Sequence, residues 1–197
     1  MKNKKNKYVT IILLIFLFLT VIFLIRIFSG LTNLQLEEVV IDNGDASILI
    51  PIQWAGFDAR EVYEKKISFE SHIIYVASNY GRFPRMNIYE VKDFDSEEDK
   101  KQYDHLIDWD ISRITDENNP KYNLSIMQPD VYLSGQQISF TIETNHPILA
   151  PTIYCRDWIT IQNNHGYIIS ICDREKRWDP IEIIYPNIIS SFSIGEQ

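Results

Sequence analysis

No G-x-S-x-G, G-x-G-x-x-G or Walker loop occurs in the 197 residues, so the signatures of a nucleophile elbow, a dinucleotide fold and a phosphate-cradling loop are missing. His72, His105, His146 and His165 are scattered, and none stands at an H-x-x-x-H spacing with an acid nearby. There is no internal repeat and no low-complexity stretch. Cysteine is confined to Cys155 and Cys172. Acidic residues are absent from the first thirty positions, which hold Lys2, Lys4, Lys5, Lys7 and Arg26. The rest of the chain therefore has 14 of the 19 basic residues against all 27 acidic ones, a net charge of −13. A domain that acidic is repelled by phosphate backbones and anionic headgroups, which argues against a nucleic-acid partner.

What is present is apolar and aromatic. Hydrophobic residues make up 45% and aromatic residues 13% of the chain, enough to build a core and too much for a disordered segment. About 165 residues follow the first thirty, the size of one ordinary domain.

Val9 to Ile25 read VTIILLIFLFLTVIFLI, uncharged throughout. A helix rises 1.5 Å per residue, so about 20 residues cross the hydrocarbon core of a bilayer. Residues 8–28 are long enough, with Arg26 placed to snorkel toward the headgroups. A cleaved signal peptide has a shorter apolar region and a small-x-small cleavage site. Here the run is longer, bulky Ile27 and Phe28 precede Ser29-Gly30, and no cysteine follows for lipoprotein processing. The expectation is an uncleaved anchor in membrane lipid. Four lysines precede it, and Glu37, Glu38, Asp42 and Asp45 follow. The positive-inside rule puts residues 1–7 in the cytoplasm and, beyond a spacer at 29–35, a domain of residues 36–197 outside it.

Within that domain Leu36–Ile41 reads as a strand, Asn43-Gly44 as a turn, and 46–52 as a second strand. Asp58 to Lys65 suggests a short helix. Alternation over 67–77 predicts a long strand, broken by the loop SNYGRFPR before another strand at 86–91. Ser96 heads the best helix, with Glu97, Glu98 and Asp99 at its positive end and an apolar stripe of Tyr103, Leu106, Ile107, Ile111 and Ile114. Asn118, Asn119 and Pro120 stop it. Ile138, Phe140 and Ile142 alternate as a strand, and 153–161 and 167–171 flank the hairpin turn at 162–166. Asp179-Pro180 opens a terminal helix as cap and first residue, which Pro186 should kink or restart.

This order of elements resembles the PsbP-like α/β/α sandwich shared by photosystem II extrinsic proteins, Ran-binding Mog proteins and bacterial DcrB-like lipoproteins. The likeness is carried by Ile48-Leu49-Ile50-Pro51-Ile52-Gln53-Trp54, the helix capped at Ser96, Gly166-Tyr167-Ile168-Ile169-Ser170, and the closing Ile188-Ile189-Ser190-Ser191-Phe192-Ser193-Ile194. It spans residues 46–194. The resemblance implies an α+β fold, an antiparallel sheet with flanking helices, here preceded by the one N-terminal transmembrane helix expected from the apolar run. It also implies binding of other macromolecules with no common catalytic site, and it assigns no functional residue to a position here.

Among candidate sites, the cysteines come first. If Asn163-Asn164 is a two-residue turn, Gln162 pairs with His165 and Cys155 falls opposite Cys172, where the pair could oxidise outside the cytoplasm. A longer loop breaks that alignment and leaves two buried thiols. Either way the cysteines are structural. Arg82 and Arg85 flank Phe83-Pro84 at a hairpin tip, placed to meet an anionic group or a partner's carboxylates. The run Asp93 to Asp104 has the acids of a calcium loop but lacks its sixth-position glycine and final glutamate, and reads as an acidic helix start. Lys101, Asp104 and Asp108 share a solvated helix face. Cys155 has no activating histidine nearby. Asn123-Leu124-Ser125 is a glycosylation sequon, meaningful only in a eukaryotic secretory setting.

No catalytic residue, metal ligand or cofactor site emerges. The expected function is a membrane-anchored, non-catalytic extracytoplasmic binding or accessory module with a protein partner in the cell envelope. The alternatives are a hydrolase whose site is assembled from distant segments, or a small-ligand or ion sensor.

Overall fold

The computed structural model describes residues 16–18, 20, 35–41, 46–60, 72–79, 82–91, 99–118, 122–144, 151–163 and 165–195. The chain divides into two compact units, Met1–Gln35 and Leu36–Gln197. In the first, Phe16, Leu17, Phe18 and Thr20 are helical, and the Thr20 hydroxyl donates to the Phe16 carbonyl at 2.8 Å. The remainder of the expected anchor at 8–28, the tail at 1–7 and all of the spacer except Gln35 lie outside the described residues. Among the described residues no helix is long and apolar enough to cross a membrane.

The second unit is an α+β fold of two antiparallel sheets. Strands β1 (Leu36–Ile41) and β2 (Ala46–Pro51) pair with Ile41 opposite Ala46, and β11 (Ser193–Ile194) joins the far side of β2. The larger sheet runs β3 (Ala55–Asp58), β4 (Ile73–Asn79), β5 (Arg82–Val91), β10 (His165–Arg174), β9 (Ile153–Gln162), β8 (Gly135–Thr144), β6 (Tyr122–Ile126). Strand β7 (Asp130–Tyr132) pairs with the start of β8.

Helix α1 (Asp99–Asn118) covers one face of this sheet. Leu106 and Ile114 are fully buried in a core with Ile138, Phe140, Cys155, Ile159 and Ile168. Each such buried aliphatic side chain contributes about 1.5–3 kcal/mol relative to exposure. Helix α2 (Asp179–Ser191) covers the other face, burying Ile181, Ile184, Tyr185, Ile188 and Ile189. There Trp178 meets Tyr154 edge-on at 4.6 Å, and Tyr185 packs on Tyr132. Arg156 lies among Tyr154, Trp178 and Tyr185 and bridges to Glu182 at 2.9 Å.

Period-two alternation sorts the strands between these helices. In β9, Cys155, Asp157 and Ile159 lie on the α1 face while Tyr154, Arg156 and Trp158 meet α2 or its surroundings. Residues 73–77 are all buried, because both faces of the sheet are covered there. Gly135 permits a close approach: a Cβ at that position would run into the Ile159 carbonyl oxygen and the Trp158 indole.

Several expectations need correction. The segment read as the loop SNYGRFPR is mostly ladder: β4 runs to Asn79 and β5 starts at Arg82, with Phe83-Pro84 cis inside β5. Extended backbone suits the residue before a proline, so the dipeptide does not end the strand. Ala55–Asp58 forms a strand that its small residues do not advertise. Asp58 closes β3 instead of opening a helix; Arg60 is helical, while residues 61–65 of the expected helix and Ser96 lie outside the described residues. In α2 the cap is Trp178, without a side-chain cap bond, so Asp179 is the first helical residue and Pro180 the second. The helix continues through Pro186 to Ser191, so Ser190-Ser191 belongs to it and only Ser193-Ile194 is strand. Proline there removes one helical hydrogen bond, while the residues on either side remain anchored by the buried face.

Candidate functional site

Helix α1 and strand β9 each carry charge on a core-facing position. Leu106, Asp110, Arg113 and Glu117 follow one another at three- and four-residue steps, so they share a helix face. Asp157 interrupts the buried row of Cys155 and Ile159. Asp110 and Asp157 are 0% exposed and Arg113 is 2% exposed, an arrangement tolerated only when the charges satisfy one another.

They do so around Arg113. Its Nη2 donates to Asp110 Oδ1 at 2.6 Å and also to Asp157 Oδ2. Its Nε donates to Asp110 Oδ1 at 2.9 Å, and Nη1 donates to Glu117 Oε2 at 3.0 Å and to the Tyr89 hydroxyl at 3.3 Å. The guanidinium lies 4.5 Å from the centre of the Tyr89 ring, adding a cation–π contact. Ser170 favours the charged form of Asp157.

The two remaining carboxyl oxygens, Asp110 Oδ2 and Asp157 Oδ1, meet no donor, yet the two carboxyls interact with each other. Burial pushes Asp157 well above the ordinary carboxylate range, the neighbouring Asp110 pushes it further, and Arg113 pulls it back. Asp110 is also raised, by burial, against the pull of Arg113. Burial alone would lower Arg113, but Asp110, Tyr89, Asp157 and Glu117 hold it well above its usual value. Glu117 is raised by burial, and burial takes the Tyr89 phenol to about 12. Paired carboxyls beside a guanidinium are the groups of acid–base chemistry, but neither reaches solvent. The cluster fastens α1 to the sheet.

A pocket of about 140 Å³ opens beside this cluster, lined by Glu117 and Arg113 from α1, Phe83, Arg85, Asn87 and Tyr89 from β5, Phe140 and Ile142 from β8, and Ser170 and Cys172 from β10. Arg85 Nε donates to Asn87 Oδ1 at 3.0 Å, and Asn87 Nδ2 donates to the Tyr89 hydroxyl at 3.1 Å. Arg85 therefore stands at the outer end of a hydrogen-bonded row that leads inward to Arg113.

Of the residues singled out in the sequence, Arg85 and Cys172 line this pocket. Cys155 and Cys172 are directly opposed, as are Gln162 and His165, and the cysteines form a disulfide with a Cα–Cα distance of 4.1 Å. Cys172 and Arg85 are register partners between β10 and β5, so the disulfide and Arg85 share the pocket wall. Arg85 is not on a loop tip but inside β5, opposite Ser78; Arg82 is the first residue of β5, opposite Asn79. Lys101, Asp104 and Asp108 are exposed. His72 Nδ1 contacts the Glu90 carbonyl at 3.0 Å and His165 Nδ1 contacts Glu90 Oε1 at 2.8 Å, His105 is exposed, and His146 lies outside the described residues. No group of three His, Cys, Asp or Glu that could hold a metal ion occurs among the described residues.

Tyr89, Asp110, Arg113, Glu117 and Asp157 were not read as a site from the sequence. The available signal was charge in apolar register: Asp110 and Arg113 in the helical stripe, and Asp157 in an alternating strand.

Neither a protein-family model nor a curated protein sequence matches the chain. The fold is that of two kinds of solved structure. The Ran-binding protein Mog1p of Saccharomyces cerevisiae is 13% identical, with a TM-score of 0.55 over 82% of this chain and 96% of its own. The cyanobacterial PsbP (CyanoP) of Synechocystis sp. PCC 6803 is 11% identical, with a TM-score of 0.56 over 84% of this chain and 96% of its own. At these identities the shared property is a Mog1/PsbP-like fold.

Proposed function

We propose that this chain is a non-catalytic binding or accessory module that acts on a protein partner. The observation that carries the reading is the sealing of its reactive groups. Asp110 and Asp157 are fully buried and committed to Arg113, so they cannot touch a substrate. A cleft that exposed such a pair would favour a hydrolase. Mog1p, which shares the fold, is a Ran-binding protein, so this fold can serve a protein–protein contact.

The domain is held at a membrane by residues 8–28, with residues 36–197 outside the cytoplasm and the partner in the cell envelope. Support comes from the uncharged run Val9–Ile25 and the lysines before it. The Cys155–Cys172 disulfide is in keeping with an oxidising compartment.

Two measurements test this. Protease added to intact cells, or to spheroplasts where an outer membrane intervenes, should digest the domain; a protected domain overturns the topology. A photo-crosslinking residue introduced at Arg85 in the intact cell should give a discrete protein adduct. Catalytic turnover on a cell-wall, peptide or ester substrate, abolished by one point mutation, would replace the binding reading with an enzymatic one.

A further inference from the structure

The pocket beside Glu117 has a size and charge pattern of its own. At about 140 Å³ it is close to a cavity of roughly 150 Å³ that holds benzene, and far below the ~300–1,000 Å³ of sites for drug-sized ligands. A nucleotide or a disaccharide is excluded; a molecule of about six to ten heavy atoms fits.

Arg113 is committed to Asp110 and Asp157 through ion pairs. That leaves two lining side chains of opposite charge, Glu117, which meets Arg113 at 3.0 Å, and Arg85. Neither is saturated. Arg85 uses only Nε, toward Asn87, and its terminal nitrogens make no hydrogen bond among the described residues. Glu117 uses Oε2 toward Arg113, and Oε1 has no hydrogen bond among the described residues. A ligand carrying a single charge would meet only one of these two groups. A neutral ligand with two poles would match both. Phe83, Phe140 and Ile142 supply apolar wall for whatever lies between or beside the poles.

The geometry points to a binding site for a small zwitterion of the α-amino acid class, with the carboxylate on the Arg85 fork and the ammonium on Glu117. A planar guanidinium fork favours carboxylate, and a carboxylate accepts the ammonium protons. The site is independent of the protein-partner reading: either can fail while the other stands.

The test is titration of the full-length chain in detergent with each of the twenty protein amino acids, followed by melting temperature and calorimetry. At least one should raise the melting temperature at concentrations up to about 10 mM. Its N-acetyl derivative, lacking the ammonium, and its carboxamide, lacking the carboxylate, should each bind at least about tenfold more weakly, as expected for loss of one charge-assisted contact. Arg85→Gln should weaken binding by about the same factor without lowering the melting temperature of the free protein. Glu117→Gln also disturbs Arg113, so the two blocked derivatives on unaltered protein decide the ammonium contact. The proposal is overturned if no amino acid shifts the melting curve, if either derivative binds as well as the parent, or if Arg85→Gln leaves affinity unchanged.

Discussion

Arg113 on α1 and Asp157 on β9, forty-four residues apart, hydrogen-bond in the interior with side chains 3% and 0% exposed. Removing one partner of such a pair strands the other charge out of water. Arg113→Met should therefore destabilise the domain by about 3–5 kcal/mol, measured as a shift in the urea midpoint. The triple change Asp110→Leu, Arg113→Met, Asp157→Leu removes all three charges together and should recover much of that loss.

The same cluster sets a pH dependence. Burial raises the folded pKa of Asp157, Asp110, Glu117 and Asp173, so the native state keeps those protons to higher pH than the unfolded chain. Their contribution is fully present below the ordinary values of 3.8 for aspartate and 4.5 for glutamate, and is lost as pH rises through the raised folded values. Glu182 acts oppositely. Burial would raise it, but hydrogen bonds from Arg156 and Trp178 lower it, so its contribution fades as pH falls through its folded value. Unfolding free energy measured from pH 4 upward should fall, and Asp157→Asn, an amide that holds its protons at every pH, should flatten that slope.

The Cys155–Cys172 bridge closes a loop with a sequence separation of 17. Chain-entropy reasoning gives about 2–3 kcal/mol for a loop of that length. Cys155→Ala with Cys172→Ala should lose that amount, and reductant should bring the wild type to the variant's stability while leaving the variant unchanged. Denaturant melts with and without reductant provide the comparison.

Gly135 opens β8 against the backbone of Ile159 and the ring of Trp158. A Cβ there forces strand and indole apart, so Gly135→Ala should cost about 1–3 kcal/mol. Because the Trp158 indole N–H donates to the Tyr132 carbonyl at 3.1 Å, its fluorescence should shift as that contact is strained.

The parts of the fold legible in the sequence were those with local signals. The β9–β10 hairpin was legible as a hairpin, and of the loop lengths the sequence allowed the two-residue turn is the one formed, with Gln162 opposite His165 and Asn163 at a positive φ of 51° that asparagine tolerates. Helix α1 announced itself through its stripe. Strands β3, β6 and β7 did not, since AGFD, YNLSI and DVY are too short and polar for periodicity; the neighbouring strands hold them in the sheet. The candidate site was half legible. Arg85 and Cys172 were noticed separately, but their adjacency depends on β10 pairing with β5, across more than eighty residues. Asp110 and Arg113 are buried on the same helix on which Lys101, Asp104 and Asp108 are exposed, so residue type alone does not separate them. The difference lies in which turn-face each occupies.

The position of the β9–β10 hairpin in the larger sheet also bears on how the domain assembles. Its two strands are joined by a two-residue turn, whereas β5 and β8, which flank it, must be brought in across longer stretches of chain. Closing a short loop costs little entropy and is fast, while distant pairings come at greater entropic cost. The hairpin is thus the natural nucleus of the domain: substitutions in its turn should slow refolding, while those in β3 or β6, at the sheet's margins, should chiefly speed unfolding.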